Sequence, residues 1–580
     1  MIHYPRLLAL IITTALITIT GFSQESVFSK KDFGAPVDIP MYLSGTFGEL
    51  RSNHFHAGID IKTQGVEGKN IIAIDDGWVS RIKVSTSGYG KAIYITHPDG
   101  YISVYGHLSR FNDTIQSVII NNQYEKESYI VQMFFDKGEL PVKKGELIAY
   151  SGNTGGSHGP HLHFEIRDVA TQHPLNPLLF SSIKVKDYFR PKITRLVIYP
   201  VDLNSSINGL NDTLFLDISG WGADHKISNL DEIKISGKVS FGISTYDLMN
   251  EIPNKNGVFS TKLIHDTNTV FELEMKRLSF NTTRYINSLV DYGYYKTSKT
   301  RVVRTQVDTN NMLNNYSTVI NNGIIEINDT LNHHFIFEVK DAYSNLAQLS
   351  FDVMGSLNNP PELIPSNKDS KNTSYFNYSK KNSIVTDSLT ALFPANCFYQ
   401  SFDFTYEILE KDTMAYSSTY KLHDKYTPVH KNYSIKVIPD LVDTIIQNSI
   451  YLAYSADNKD YNYLSNKTKG DALVAKTRSL GYFKVLMDSI PPIIKKVNFS
   501  DGKNIAKQSN LKIKIWDEKT GIAKYRATLN GSWILMEYDP KKKLLTYNYD
   551  ELLLKGKNEF KLVITDLLDN KTEFECEVIY

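Results

Sequence analysis

Apolar and polar residues alternate with a period of two over much of the chain. Ile193-Thr194-Arg195-Leu196-Val197-Ile198-Tyr199 and Leu511-Lys512-Ile513-Lys514-Ile515-Trp516 are examples, and long helical periodicities are scarce. Successive side chains of a strand point to opposite faces, so this alternation predicts half-buried strands and a mainly β chain. A weak repeat supports it. Val339-Lys340-Asp341-Ala342-Tyr343-Ser344-Asn345 and Ile564-Thr565-Asp566-Leu567-Leu568-Asp569-Asn570 both read as a strand, an Asx-rich turn and a last strand, the closing hairpin of a β-sandwich. Prolines at 191, 360–361 and 491–492 mark expected domain starts. About three Ig-like β-sandwich modules are expected, at 190–356, 360–488 and 490–580, serving binding or spacing. Residues 33–188 have a different texture, rich in Gly and His.

Composition narrows the chemistry. At roughly 100–200 residues per domain, 580 residues imply several domains. Lys plus Arg number 64 and Asp plus Glu 63, a net charge of +1, which argues against nucleic acid and against a polybasic membrane-surface protein. Cys397 and Cys576 are the only cysteines, so a metal site must be built from His, Asp or Glu. After Arg6, Leu7 to Phe22 is apolar or uncharged but short of the ~20 residues of a membrane span. Small residues at Gly21 and Ser23 suit cleavage after Ser23. A signal peptide is expected over 1–23, leaving an exported mature chain with no transmembrane segment.

Eight of the 15 histidines fall within 33–188. Three segments stand out: His54-Phe55-His56-Ala57-Gly58-Ile59-Asp60; Tyr105-Gly106-His107-Leu108; and Gly152-Asn153-Thr154-Gly155, leading to His161-Leu162-His163-Phe164-Glu165. On a strand, His161, His163 and Glu165 share one face and Leu162, Phe164 and Ile166 the other. Gly58 lets the backbone bend so that His56 and Asp60 can meet. Two imidazoles and a carboxylate suit Zn²⁺ and leave a fourth position for water, the arrangement of a catalytic zinc.

The three segments hold four motifs, His-x-Gly-x-Asp, Tyr-Gly-His-Leu, Gly-Asn-Thr-Gly and Gly-Pro-His-Leu-His-Phe-Glu, which in this order resemble the lysostaphin/LytM-type zinc endopeptidases over roughly residues 33–180. The resemblance implies an open antiparallel β fold (the duplicated hybrid motif) for 33–188. It implies one zinc ion held by His56, Asp60 and His163, catalytic histidines His107 and His161, and Asn153 in a turn lining the groove. Arg51 is a further groove candidate. The implied activity is hydrolysis of peptidoglycan peptides, most simply stem-peptide cross-links, by a periplasmic, envelope-associated or extracellular enzyme. The departure is a long segment from Ser109 to Pro141, expected to wall or cover the groove.

Other positions carry blander expectations. His54 reads as groove wall or support, His158 and His97 as solvent-facing, Glu165 as a residue orienting a ligand imidazole, and His333-His334 as surface decoration. Competing functions are a regulator that activates amidases, which the full ligand set disfavours, and an adhesion protein acting through its β modules, which could hold an envelope partner. A lipoyl-type carrier, suggested by Val142-Lys143-Lys144-Gly145-Glu146, lacks the displayed lysine.

Overall fold

The computed structural model describes residues 31–228, 232–357, 372–440 and 446–580. The expected signal peptide and the Pro360-Pro361 boundary lie outside them.

The N-terminal region is built from β1 (Leu43–Gly45), β2 (Ile59–Lys62), β3 (Asn70–Ile72), β4 (Gly77–Val84), β5 (Lys91–Thr96), β6 (Tyr101–Leu108), β7 (Arg110–Phe111), helix α1 (Asp113–Glu125), β8 (Val131–Phe134), β9 (Pro141–Val142), β10 (Leu147–Tyr150), β11 (His161–Asp168) and β12 (Pro174–Leu175). The main antiparallel sheet runs β1-β2-β11-β6-β5-β4-β8, and a small sheet runs β3-β10-β7. Ile59, Ile61, Ile93, Tyr105, Leu162 and Phe164 of the first pack with Ile71, Ile148 and Phe111 of the second in one core. Burial of that apolar face, at about 25 cal/mol per Å², holds the sheets together. The opposite face of β2, β6 and β11 is left to the polar residues.

The Ser109–Pro141 segment does not wall the groove; none of its residues lines it. Asn112 caps α1 by accepting from Ile115 N at 2.9 Å. The helix buries Ile115, Ile119 and Gln123, and β8 pairs with β4, at the sheet edge far from β2. An edge strand offers unpaired backbone groups, and the insertion satisfies them. Its outer side meets the last module: Tyr124 hydrogen-bonds Asp550, stacks edge-on against Trp533 at 5.2 Å, and Glu127 pairs with Arg526.

The rest of the chain is β-sandwich modules. Between 192 and 355 the hydrogen bonding joins 13 strands. The long strand Lys234–Leu248 pairs along its length with Lys192–Pro200 and Ile324–Ile327. The core of this module is continuous with that of the N-terminal region, from Phe33 to Val353. Residues 373–487 form sheets of six and five strands around a core of their own, and 493–579 sheets of four and five around another. His334 is exposed, whereas His333 is half-buried against His265 and Asp329, each at 3.0 Å. Among the described residues no helix is long and apolar enough to cross a membrane.

Candidate metal centre

Register brings the site together. β2 and β11 are antiparallel neighbours with Asp60 opposite His163, and β6 lies on the other side of β11. A Cβ at Gly58 would stand 2.2 Å from the Phe164 carbonyl oxygen, so only glycine lets the chain pass this close to β11 and carry His56 over Asp60. His56 Nε2 lies 3.1 Å from His163 Nδ1 and 3.0 Å from Asp60 Oδ1, and His163 Nδ1 lies 3.0 Å from the same oxygen. All three residues are buried.

The outer nitrogens of the two rings are already used. His56 Nδ1–H donates to the Thr46 carbonyl at 2.8 Å, and His163 Nε2–H donates to Glu165 Oε1 at 2.8 Å. Each ring then turns a lone pair inward, toward the other and toward a carboxylate oxygen. Three acceptors with no proton between them repel unless a cation sits at their centre. Ligands about 2.0–2.1 Å from a tetrahedral zinc stand about 3.3 Å apart, close to the spacing found. The donor set therefore fits zinc.

Electrostatics point the same way. Burial lowers the His163 pKa, but hydrogen bonds to Asp60 and Glu165 outweigh it and hold the ring up to about 9: the pocket demands positive charge. Asp60 stays well below the usual carboxylate range despite burial, held there by the surrounding histidines. Glu165 has no exposed surface, yet Arg167 and His163 push it down to about 2 against burial. Arg167 Nε donates to Glu165 Oε2 at 2.6 Å, and the Tyr89 hydroxyl donates to Oε1, the oxygen that His163 also uses. The Tyr89 ring stacks on His163 at 4.8 Å. Glu165→Gln should weaken zinc binding roughly 10–100-fold, read by competition with a chelating dye; unchanged affinity would remove Glu165 from the metal site.

His107 reaches the site by a backbone irregularity. Tyr105 is fully buried, packed on Phe164 at 5.4 Å, and in a regular strand His107 would point the same way. The β5–β6 register shifts between Lys91 and Ile93, and His107 has φ 61°, left-handed backbone that a non-glycine residue adopts at a cost. The ring turns to the groove face, where Nδ1–H donates to the Thr154 carbonyl at 2.8 Å and leaves Nε2 as an acceptor. Burial, then the neighbouring histidines, push its pKa down to about 3. His161 lies 4.8 Å from His107 between ring centroids. Its Nδ1–H donates to the Gly159 carbonyl at 2.8 Å, and Nε2 faces Asp60 Oδ1 at 3.5 Å.

Arg51 lines the groove and donates to Asp60 Oδ2 at 3.1 Å, so it braces the carboxylate while facing the opening. Asn153 is placed elsewhere than expected: it borders a crevice beneath the last module, not the groove. There Lys541 Nζ donates to the Asn153 carbonyl at 2.5 Å and the Ser157 carbonyl at 2.9 Å. His54 and His158 are exposed groove residues. His97 is not solvent-facing. It is buried, with Nδ1 on the Asp76 carbonyl at 2.9 Å and Nε2 on Ser103 Oγ at 2.8 Å; the Pro98-Asp99-Gly100 turn folds its ring inward. Sequence reasoning missed Thr46, Tyr89 and Arg167, and also Asn254 and Arg301, which bring the second module to the groove. No short motif marks them.

The groove encloses about 870 Å³. The model of "Peptidase family M23" matches residues 54–123 and 116–177, the stretch that carries every residue of this centre from His56 to Glu165. Residues 54–177 are an M23 peptidase domain. A "Zu5-like domain" model matches residues 373–488. The M23 domain is 34% identical over 123 residues to an uncharacterised metalloprotease of Haemophilus influenzae (21% of this chain, 20% of that protein). It is 32% identical over 129 residues to the DD-carboxypeptidase/endopeptidase Mpg of Neisseria meningitidis (22% and 23%), and 38% identical over 135 residues to the murein hydrolase activator NlpD of Escherichia coli (23% and 28%). The similarity thus spans about a quarter of those relatives' lengths. Among solved structures, the catalytic domain of a prophage-encoded M23 protein from Enterococcus faecalis is 26% identical (25% of this chain, 95% of that one) with a TM-score of 0.19.

Proposed function

We propose that this chain is an exported zinc endopeptidase that cleaves cross-links between stem peptides of peptidoglycan. The observation that carries the reading is the convergence of His56, Asp60 and His163 on one point, with the acceptor nitrogens of His107 and His161 beside it. Zinc, when bound, supplies Lewis acidity that acidifies water and polarises a scissile carbonyl. The residues of the chain do the rest. His107 is neutral throughout the physiological range, so its Nε2 can take a proton or receive a hydrogen bond from the attacking water. His161, fixed by the Gly159 carbonyl, stands across from it; once its Nε2 has taken up a proton, it can donate to the developing oxyanion or pass the proton to the leaving amine. The groove along β2 and β11 admits an extended peptide, and Arg51 and Arg301 on its rim suit carboxylates of a peptide stem. This predicts hydrolysis with no covalent intermediate.

The likeness to a murein hydrolase activator supports a second reading, a regulator of amidases. The complete donor set favours the enzyme. Purified sacculi treated with the zinc-loaded chain should release un-cross-linked peptides bearing new amine termini. Intact sacculi, together with stimulation of an added amidase, would establish the regulator instead.

A further inference from the structure

The two Asx hairpins of the sequence repeat prove to be halves of two like-built acidic clusters outside the peptidase groove. In the first, Asp187, Asp247 and Asp341 bring one carboxylate oxygen each within 4.8 Å of the others; in the second, Asp488, Asp517 and Asp566 do the same. The correspondence is atom for atom at two positions. Asp341 Oδ1 accepts from Tyr343 N and Asn345 N at 2.9 and 2.8 Å, and Asn345 Nδ2 donates to Asp341 Oδ2 at 2.6 Å and approaches the Asp187 carbonyl at 3.4 Å. Asp566 Oδ1 accepts from Leu568 N and Asn570 N at 2.8 and 2.9 Å, and Asn570 Nδ2 donates to Asp566 Oδ2 at 2.8 Å and to the Asp488 carbonyl at 3.2 Å. Asp187 and Asp488 each accept at Oδ1 from the amide two residues on, at 3.1 Å, and each stands four residues before a proline, Pro191 or Pro492.

These turns alone explain the folding of the hairpins, not the convergence of three carboxylates. The first cluster holds groups that no protein donor satisfies. Both oxygens of Asp247 and Oδ2 of Asp187 are buried without a hydrogen bond, although Asp247 is only 1% exposed. The Leu248 amide approaches Asp247 and lowers its pKa a little against burial. Asn256, the cross-strand neighbour of Asp247, is also buried, and both its amide nitrogen and its oxygen are unpartnered. An unpaired buried carboxylate costs several kcal/mol, and three together repel.

We propose that the first cluster binds one calcium ion; in the second, Thr520 Oγ1 donates to Asp488 Oδ2 at 3.0 Å and backbone amides donate to Asp517 Oδ1, so its carboxylates are satisfied by the protein. The three side chains of the first cluster offer oxygen and none offers nitrogen or sulfur, which selects a hard cation. Three carboxylates at one point exceed what magnesium ordinarily takes from protein. Burial, then the neighbouring carboxylates, push the carboxyls of Asp247 and Asp187 upward, as crowded acidic groups require. The placement gives the ion a task. Asp187 lies in the segment leaving the M23 domain, before the strand Lys192–Pro200. The ion would fasten this joint to the closing hairpin of the module that follows.

Calcium titration of the zinc-loaded full chain, by calorimetry and by thermal melting, tests this. The expected result is one calcium ion per chain, with a dissociation constant at or below about 1 mM, the range of extracellular calcium modules. A hundred-fold excess should raise the melting temperature by about 5 °C or more. Asp247→Asn should bind no ion, and trypsin should cut the joint after Asp187 faster, whereas Asp517→Asn should still bind one. Wild-type chain that binds no calcium at about 5 mM, five times that limit, overturns the proposal. So does Asp247→Asn protein that melts at or above the wild-type temperature in calcium, which marks a protonated carboxyl cluster. Should Asp247→Asn fail to fold, the wild-type stoichiometry and loss of the ion in Asp341→Asn decide the matter.

Discussion

Protein carrying His163→Ala binds zinc at least about a hundred-fold more weakly than wild type and releases no peptides from sacculi. His163 gives the centre one of three donors and is the contact through which Glu165, Arg167 and Tyr89 act on it. Loss of an outer partner alone costs about 10–100-fold in affinity, so loss of the ligand costs more. The change also leaves Glu165 and Arg167 beside an empty volume, and the melting temperature should fall. Metal content after dialysis against a weak chelator is the first measurement. A variant with one tightly held zinc per chain would show that the ion sits elsewhere, and retained activity would refute the assignment outright.

His107→Ala separates chemistry from binding. His107 is not one of the three converging donors, so the variant should keep its zinc while turnover falls roughly 10²–10⁴-fold, the usual contribution of a positioned acid or base. Alanine is strained at a φ of 61°, and Asn, which tolerates left-handed backbone, is the control that keeps the bulge. A pH signature accompanies this. Burial holds folded His107 neutral down to about 3, whereas the unfolded residue titrates near 6.5. Between those values the unfolded chain binds the extra proton, so stability falls as pH drops through that window. In the metal-free protein, the difference between wild-type and His107→Asn melting profiles should widen as pH rises from 4 to 6.5, in favour of wild type. A flat difference would mean the ring is not held neutral.

Much of this was legible in the chain. Alternation at period two marked the strands because a pleated strand half-buried on a core needs that pattern. His161, His163 and Glu165 declared a shared face for the same reason, and four separated motifs in order named the family of the N-terminal domain. Asx turns declared the hairpins because their hydrogen bonds close within five residues. These are local rules, acting over a few residues of backbone. The legible part stopped where contacts cross long stretches of chain.

His107 shows the limit most clearly. By strand parity it belongs with Tyr105 in the core, and only the register shift against β5 turns it to the groove. The insertion carried no mark of whether it would face the groove or the far sheet edge, since both leave its own sequence unchanged. Thr46 orients His56 through its carbonyl while its hydroxyl bonds Gly257 of the second module at 3.0 Å, so a metal support rests on a residue about 200 positions away. The three aspartates of each acidic cluster are likewise scattered through their modules. Periodicity and motif determined which residues could form strands, turns and a donor set. Which of them meet, and what each faces, was decided by long-range packing, because burial and charge are properties of the assembled surfaces and not of any short segment.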